Sequence, residues 1–283
     1  MIYLFVSIIC SVAVGVLFKF IKERTSVNIF LIAVNYLCAI FASYFSFSPP
    51  LKMELLTGSP LVISLSVLLP LVFILLTLSI RYSGIIKTDI AQRISLIIPI
   101  TCAFWLFNEA IPALRWLGII TGFFAMALIL SKTSQAHDTK YIFLVLVFAG
   151  YGVIDVLFKL LALQKTIAYT TLLFYIFCGS FIVSVILSLI TLWRRKLKLQ
   201  PNTFLYGLIL GVLNFLNIYF YLKAHQYFSQ NPTTVFATMN FGVILLGTLV
   251  GAWYFKEKLS AKNKWGLLMA VIAIGIVVWS QLE

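Results

Sequence analysis

Gly15-Val16-Leu17-Phe18-Lys19-Phe20 and Asp155-Val156-Leu157-Phe158-Lys159-Leu160 read almost alike at a separation of 140 positions, each with a lysine behind a Val-Leu-Phe triplet. A second echo follows in each half. Phe107-Asn108-Glu109 precedes Gly118, and Phe255-Lys256-Glu257 precedes Gly266, with the same nine-residue step from glutamate to glycine. Self-similarity on this scale marks an internal duplication. It divides the 283 residues into a first copy over 1–135 and a second over 139–283.

Composition places both copies in a bilayer. The chain is 62% hydrophobic and only 10% charged, with a mean hydropathy of +1.08, whereas about a quarter of the residues of a soluble domain are charged. Apolar stretches fall at 2–20, 27–47, 60–81, 86–107, 112–131, 141–163, 168–193, 203–227, 232–255 and 264–281. Each is near the ~20 residues a helix needs to cross the hydrocarbon core. The expected fold is an all-α integral membrane protein with ten transmembrane helices, five in each copy. Pro70 and Pro99 fall inside the third and fourth stretches, where a helix kinks. The gaps 48–59, 132–140 and 194–202 are turn-length, so the chemistry has to sit among the helices. The first stretch lacks a basic start and is long enough to span, so it reads as a retained helix and not a cleaved signal peptide. Cys10, Cys38, Cys102 and Cys178 lie within spans without metal-ligand spacing and read as packing residues; no cofactor or metal is expected.

The formal net charge is +13, yet its distribution excludes a nucleic-acid partner. Of the 21 basic residues, 14 (Lys22, Arg24, Arg81, Lys87, Lys132, Lys140, Arg194, Arg195, Lys196, Lys198, Lys256, Lys258, Lys262 and Lys264) follow odd-numbered spans, while Lys52, Arg115 and Lys165 lie on the other side. The positive-inside rule makes the rich side cytoplasmic and puts both termini outside a cell membrane, with contact to acidic lipid head groups as a by-product. Five spans per copy force the second copy to enter from the opposite face, so the repeats are inverted. Such halves exchange conformations around a site between them, which is alternating access.

The ten-span layout, the paired Glu109, Trp116, Gly118 and Glu257, Trp265, Gly266, and the lysine late in spans one and six resemble the EamA-type transporters of the drug/metabolite transporter superfamily. The resemblance implies a transporter of small solutes such as amino acids, sugars, nucleotide sugars, phosphorylated metabolites or drugs. The small multidrug members carry an acidic residue in the first helix. The span 2–20 has none, which speaks against export of cationic drugs.

Ionisable and polar residues within the spans are the candidate site, because burying them is costly unless they are paired or face water. Asp89 and Arg93 stand four apart on one helix face with Gln92 beside them, and Asp155 and Lys159 repeat that spacing. Each pair either faces a solute or bridges helices. Lys19 joins the candidates, although it and Lys87 sit near helix ends where a lysine can snorkel to the head groups. The deep bases Lys19, Arg93, Lys159 and Lys223 outnumber the deep acids Asp89 and Asp155, which favours an anionic or zwitterionic solute. Arg93 is the expected direct ligand, since its planar fork holds a carboxylate or phosphate through two hydrogen bonds. Asn214, Asn217 and Tyr221 form a polar stripe that either reads solute hydroxyls and amides or bonds neighbouring helices. Asn35, Tyr36, Tyr151 and Asn240 are weaker candidates of the same kind. Asp155 and Asp89 are the candidate proton carriers, and His225 reads as a hydrogen-bonding residue. Glu109 and Glu257, at the starts of spans five and ten, read as caps for free amide groups. Gly118-x-x-x-Gly122 and Gly247-x-x-x-Gly251 allow close helix approach, the former by a second subunit of a homodimer. The competing classes are a structural or lipid-scrambling protein and a membrane-embedded enzyme. The enzyme reading lacks a His-x-x-x-His, an Asp-rich motif or a Ser/His/Asp set.

Overall fold

The computed structural model describes residues 1–24, 29–51, 54–130, 140–195, 201–256 and 259–281, and all regular structure among them is helical. In chain order the helices are α1 (Ile2–Arg24), α2 (Ile29–Phe47), a single turn α3 (Glu54–Thr57), α4 (Pro60–Ser83), α5 (Ile85–Ile94), α6 (Ile97–Trp105), α7 (Ala113–Ile129), α8 (Tyr141–Ala162), α9 (Tyr169–Arg195), α10 (Pro201–Tyr227), α11 (Pro232–Trp253) and α12 (Ala261–Trp279). Seven of them are long and apolar enough to cross a membrane, and Ile2–Phe18 and Ala113–Ile129 are shorter apolar stretches.

Local sequence sets the boundaries. Pro60 and Pro232 begin α4 and α11, where the missing amide hydrogen costs nothing. Ser260 and Asn263 cap α12 reciprocally. The two prolines inside spans behave differently. Pro70 lies within an unbroken α4, but the fourth expected span divides into α5 and α6 at Ser95-Leu96. Pro99 is the cause: it cannot donate to the carbonyl of Ser95, four residues back, and its ring crowds that oxygen.

The outer surface is an apolar belt. All six tryptophans are exposed (Trp105, Trp116, Trp193, Trp253, Trp265 and Trp279), and each lies at or near a helix end. That is how indole rings sit at the two edges of a bilayer. Inside, one core runs through helices of both halves, with Tyr36, Phe158, Phe177 and Phe241 among its buried members.

The packing obeys an exchange. α1 packs on α10 and α11, while α8 packs on α4 and on α5 and α6; α2 packs on α9 and α10, while α9 packs on α2 and α4. α7 and α12 pack on each other. At their crossing a Cβ on Gly118 would meet Val277, and one on Gly266 would meet Ile129, so each contact becomes the other when positions shift by 148, as from Glu109 to Glu257. Arg115 near the start of α7 bonds Ser280 beyond the end of α12, and Asn263 near the start of α12 donates to the carbonyl of Ile129 at the end of α7. The middle residue of each repeated Phe-x-Glu is also left-handed, with φ 47° at Asn108 and 52° at Lys256. Gly118 meets α12 and Gly122 meets Phe241 of α11, so that pair is used within the chain, whereas a Cβ on Gly247 would meet nothing within 4 Å among the described residues and its expected close approach does not occur. The expected use of Gly118 and Gly122 by a second subunit is corrected accordingly.

Candidate functional site

Two groups of polar residues lie among the helices, and they differ in how fully they are bonded. The first centres on Arg93 of α5. Its Nε stands 3.3 Å from Asp89 Oδ1, and Tyr151 and Asp155 of α8 lie within electrostatic reach of it. Asp155 Oδ1 accepts a hydrogen bond of 2.9 Å from Tyr221 Oη of α10, and Tyr36 of α2 lies within electrostatic reach of Tyr151. Four elements therefore converge: α2, α5, α8 and α10. Arg93 lies in the last turn of α5, just before the break at Ser95-Leu96. Gln92 stands beside Arg93 on α5 and is half-buried.

Arg93 Nε is buried with no hydrogen-bond partner among the described residues, and further spare capacity lies on α2 and α10. Both side-chain atoms of Asn35, the Tyr36 hydroxyl and Asn214 Nδ2 are buried with no hydrogen-bond partner among the described residues. Asn35 sits where α2 crosses α10, its carbonyl against Gly211, three residues from Asn214. Buried polar atoms left open in this way call for a solute or water.

The second group lies at the N-terminal ends of α7 and α11, beside the end of α12. Arg115, 2% exposed, donates to Glu109 Oε1 at 2.5 Å, Asn231 Oδ1 at 3.0 Å, Thr233 Oγ1 at 3.3 Å, and Ser280 Oγ and O at 3.1 and 3.4 Å. Glu109 also accepts from the Thr233 amide at 3.0 Å and the Thr233 hydroxyl at 2.6 Å. Burial pushes the Glu109 carboxyl above its usual range, opposed by the Thr233 hydrogen bonds and the Arg115 guanidinium. The expected capping by Glu109 occurs, but on α11 and not on α7. Thr233 is in the first turn of α11, where amides lack intrahelical partners and the helix dipole is positive, whereas α7 opens behind Pro112. Glu257 lies outside the described residues.

Lys159 departs from its expected pairing with Asp155. It is fully buried, and its ammonium donates to the carbonyls of Ser229 at 2.7 Å and His225 at 3.4 Å. These oxygens belong to the end of α10 and the turn after it, where carbonyls are left open and the dipole is negative. A long side chain near the end of α8 reaches them more readily than it folds back one turn. Asn217 donates to Ser7 O at 2.8 Å and Ser7 Oγ at 3.1 Å, clasping α10 to α1. Asn240 donates to the Phe236 carbonyl one turn back, at 3.1 Å. His225 is buried between the rings of Tyr221 and Phe236, each at 4.7 Å, with neither nitrogen hydrogen-bonded among the described residues. The Lys19 side chain lies outside the described residues. Arg115 was missed as a buried residue because the sequence counts it merely as an outer-side base; its place six positions after the repeated Phe-x-Glu was the usable signal.

An apolar belt, spanning helices and a buried polar cluster define a multi-pass integral membrane protein with its chemistry inside. Comparison with known proteins sharpens this. Residues 139–279 match the EamA-like transporter family. An uncharacterized protein of Haemophilus influenzae is 38% identical over 279 residues, covering 95% of this chain and 94% of its own. A crystal structure of a protein 11% identical to this chain superposes with a TM-score of 0.75, covering 100% of this chain and 98% of the other, and so shares its fold. The chain belongs to the EamA-like transporter family.

Proposed function

We propose that this protein is a secondary transporter, and not an enzyme, which moves a small anionic or zwitterionic metabolite such as an amino acid, organic acid or phosphorylated sugar across the cell membrane. In this reading ten crossings form two inverted five-helix repeats, with α5 and α6 together making the fourth crossing. Support for the repeat comes from the exchange of packing between halves, above all the mirrored Gly118–Val277 and Gly266–Ile129 contacts. Two halves of nearly equal energy then open a central site to each side in turn.

The observation that carries the proposal is the under-bonded cluster around Arg93. Its guanidinium suits a carboxylate or phosphate. With Lys159 held by backbone carbonyls, the cluster among the described residues contains one cation, Arg93, and two carboxylates, Asp89 and Asp155. An anion bound at Arg93 is therefore accompanied by a positive charge near the carboxylates. The amino group of a zwitterion supplies one, and so does a transported proton on Asp155 or Asp89. The partners are the small solute and the surrounding lipids, with no role for nucleic acid.

The test is uptake by purified protein in liposomes, screened over amino acids, organic acids, sugar phosphates and nucleotide sugars. Accumulation or exchange of a charged solute supports the reading. Lipid scrambling without solute movement would favour the scrambling alternative. Orientation is checked separately: a reporter fused after Glu283 should be active outside the cytoplasm and one in the 194–200 loop inside, and the reverse pattern overturns the charge argument.

A further inference from the structure

Lys223 is a deep base of the sequence that takes part in neither polar group. It lies four residues from the end of α10 and is half-buried. Its ammonium donates to Tyr219 Oη at 3.4 Å and stands 4.8 Å from the centre of the Tyr3 ring and 5.5 Å from that of Tyr219. Among the described residues its ion pairs include no carboxylate. The surrounding rings come from four helices. Tyr169, first in α9, stacks on Tyr219 at 6.3 Å, and Phe47, last in α2, lies 5.0 Å from the same ring. Tyr3 belongs to the first turn of α1. All these positions are helix ends on one side of the molecule, the side the charge distribution makes external.

The rings continue inward. Tyr219 stacks on Phe215 at 6.1 Å, Phe215 meets Phe177 at 6.3 Å, and Phe177 meets Tyr36 at 6.4 Å. Tyr36 is the residue within electrostatic reach of Tyr151 in the Arg93 cluster. A chain of ring contacts thus runs from Lys223 towards the central polar group.

We propose that Lys223, with Tyr3, Tyr169 and Tyr219, forms an outer capture site for a monovalent carboxylate with an apolar body, which then passes to Arg93. The inference rests on the transporter reading, and it adds a second site of its own. Ring faces are electron-rich and attract the ammonium, so they hold the cation in place without neutralising it. An arriving carboxylate supplies the missing counter-charge, and its apolar part lies against the rings. Charge balance selects the class: one carboxylate leaves the pair neutral in apolar surroundings, whereas a phosphate dianion leaves an unpaired negative charge facing aromatic quadrupoles.

Benzoate is the probe, with phenyl phosphate as the dianion and benzyl alcohol as the neutral control, titrated calorimetrically into protein in lipid nanodiscs. Benzoate should bind at least about tenfold more tightly than either control, the scale of one charge-assisted hydrogen bond. Lys223→Gln should weaken it about tenfold, while Lys223→Arg keeps it within about threefold. Tm is recorded for each variant. Because Lys223 joins no ion pair among the described residues, Lys223→Gln should melt with the wild type. Benzoate binding that ignores Lys223→Gln, or phenyl phosphate binding as tightly as benzoate, overturns the capture site, as does an absence of benzoate binding. The two readings fail separately: Lys223-dependent binding without transport sinks the transporter, and Arg93-dependent transport with binding indifferent to Lys223 sinks the capture site alone.

Discussion

The Arg115 knot and the Arg93 cluster both hold charge among helices, yet the first is fully buried and saturated, while in the second the side chains of Arg93 and Asp89 are 14% and 36% exposed. Arg115 and Glu109 share hydrogen bonds with Asn231, Thr233 and Ser280, tying α7, α11 and α12 into one corner. Around Arg93 the helices bring Asp89, Tyr151 and Asp155 close, while Asn35, Tyr36 and Asn214 keep atoms unbonded among the described residues. A buried charge whose partners are all protein is architecture. One whose neighbours still have free donors and acceptors is prepared for something that comes and goes.

The sharpest break between the two regions should come from deleting each arginine. Arg115→Leu leaves Glu109 buried and unpaired, which costs about 3–5 kcal/mol, and should give the largest loss of Tm and of recoverable protein. Arg93→Leu should melt close to the wild type, since among the described residues Arg93 pairs with Asp89 alone, at 3.3 Å. Equal destabilisation by both would erase the distinction.

The next effect concerns energy coupling. If protons drive transport, Asp155→Asn should abolish accumulation against a gradient and leave solute-for-solute exchange intact, because exchange needs no net proton movement. Asp89→Asn is measured beside it. Accumulation in response to an imposed pH gradient in both variants would show that neither aspartate carries the proton.

The smallest contrast lies within the α10 stripe. Asn217→Ala removes the clasp onto Ser7 and should cost about 1 kcal/mol of stability with transport kept. Asn214→Ala removes an atom that bonds nothing among the described residues, so Tm should hold while apparent substrate affinity falls. A reversal of these two outcomes would move the site off the Asn214 face.

Much of this was legible in the sequence. Hydropathy gave the helical stretches, Pro99 marked the break between α5 and α6, and the echo around Lys19, Lys159, Glu109 and Glu257 is the basis of the proposed duplication. What spacing did not reveal was the destination of long side chains. Asp155 and Lys159 stand four apart on one helix, a spacing that permits an ion pair. The open carbonyls ending α10 took the lysine, and Tyr221 took the aspartate. Glu109 likewise caps a helix distant in sequence, and Gly118 turns inward to Val277. Each of these depends on tertiary neighbours that a one-dimensional pattern does not encode. The same holds for Lys223, whose surroundings come from four separate helices.

The most direct test of the central claim is solute flux through proteoliposomes holding wild type, Arg93→Ala or Arg93→Lys at matched Tm and matched insertion. The expected result is movement of a carboxylate- or phosphate-bearing solute by wild type, none by Arg93→Ala, and poor rescue by Arg93→Lys, whose point charge cannot reproduce a bidentate fork. Wild-type flux through Arg93→Ala, or no flux of any such solute through the wild type, would contradict it.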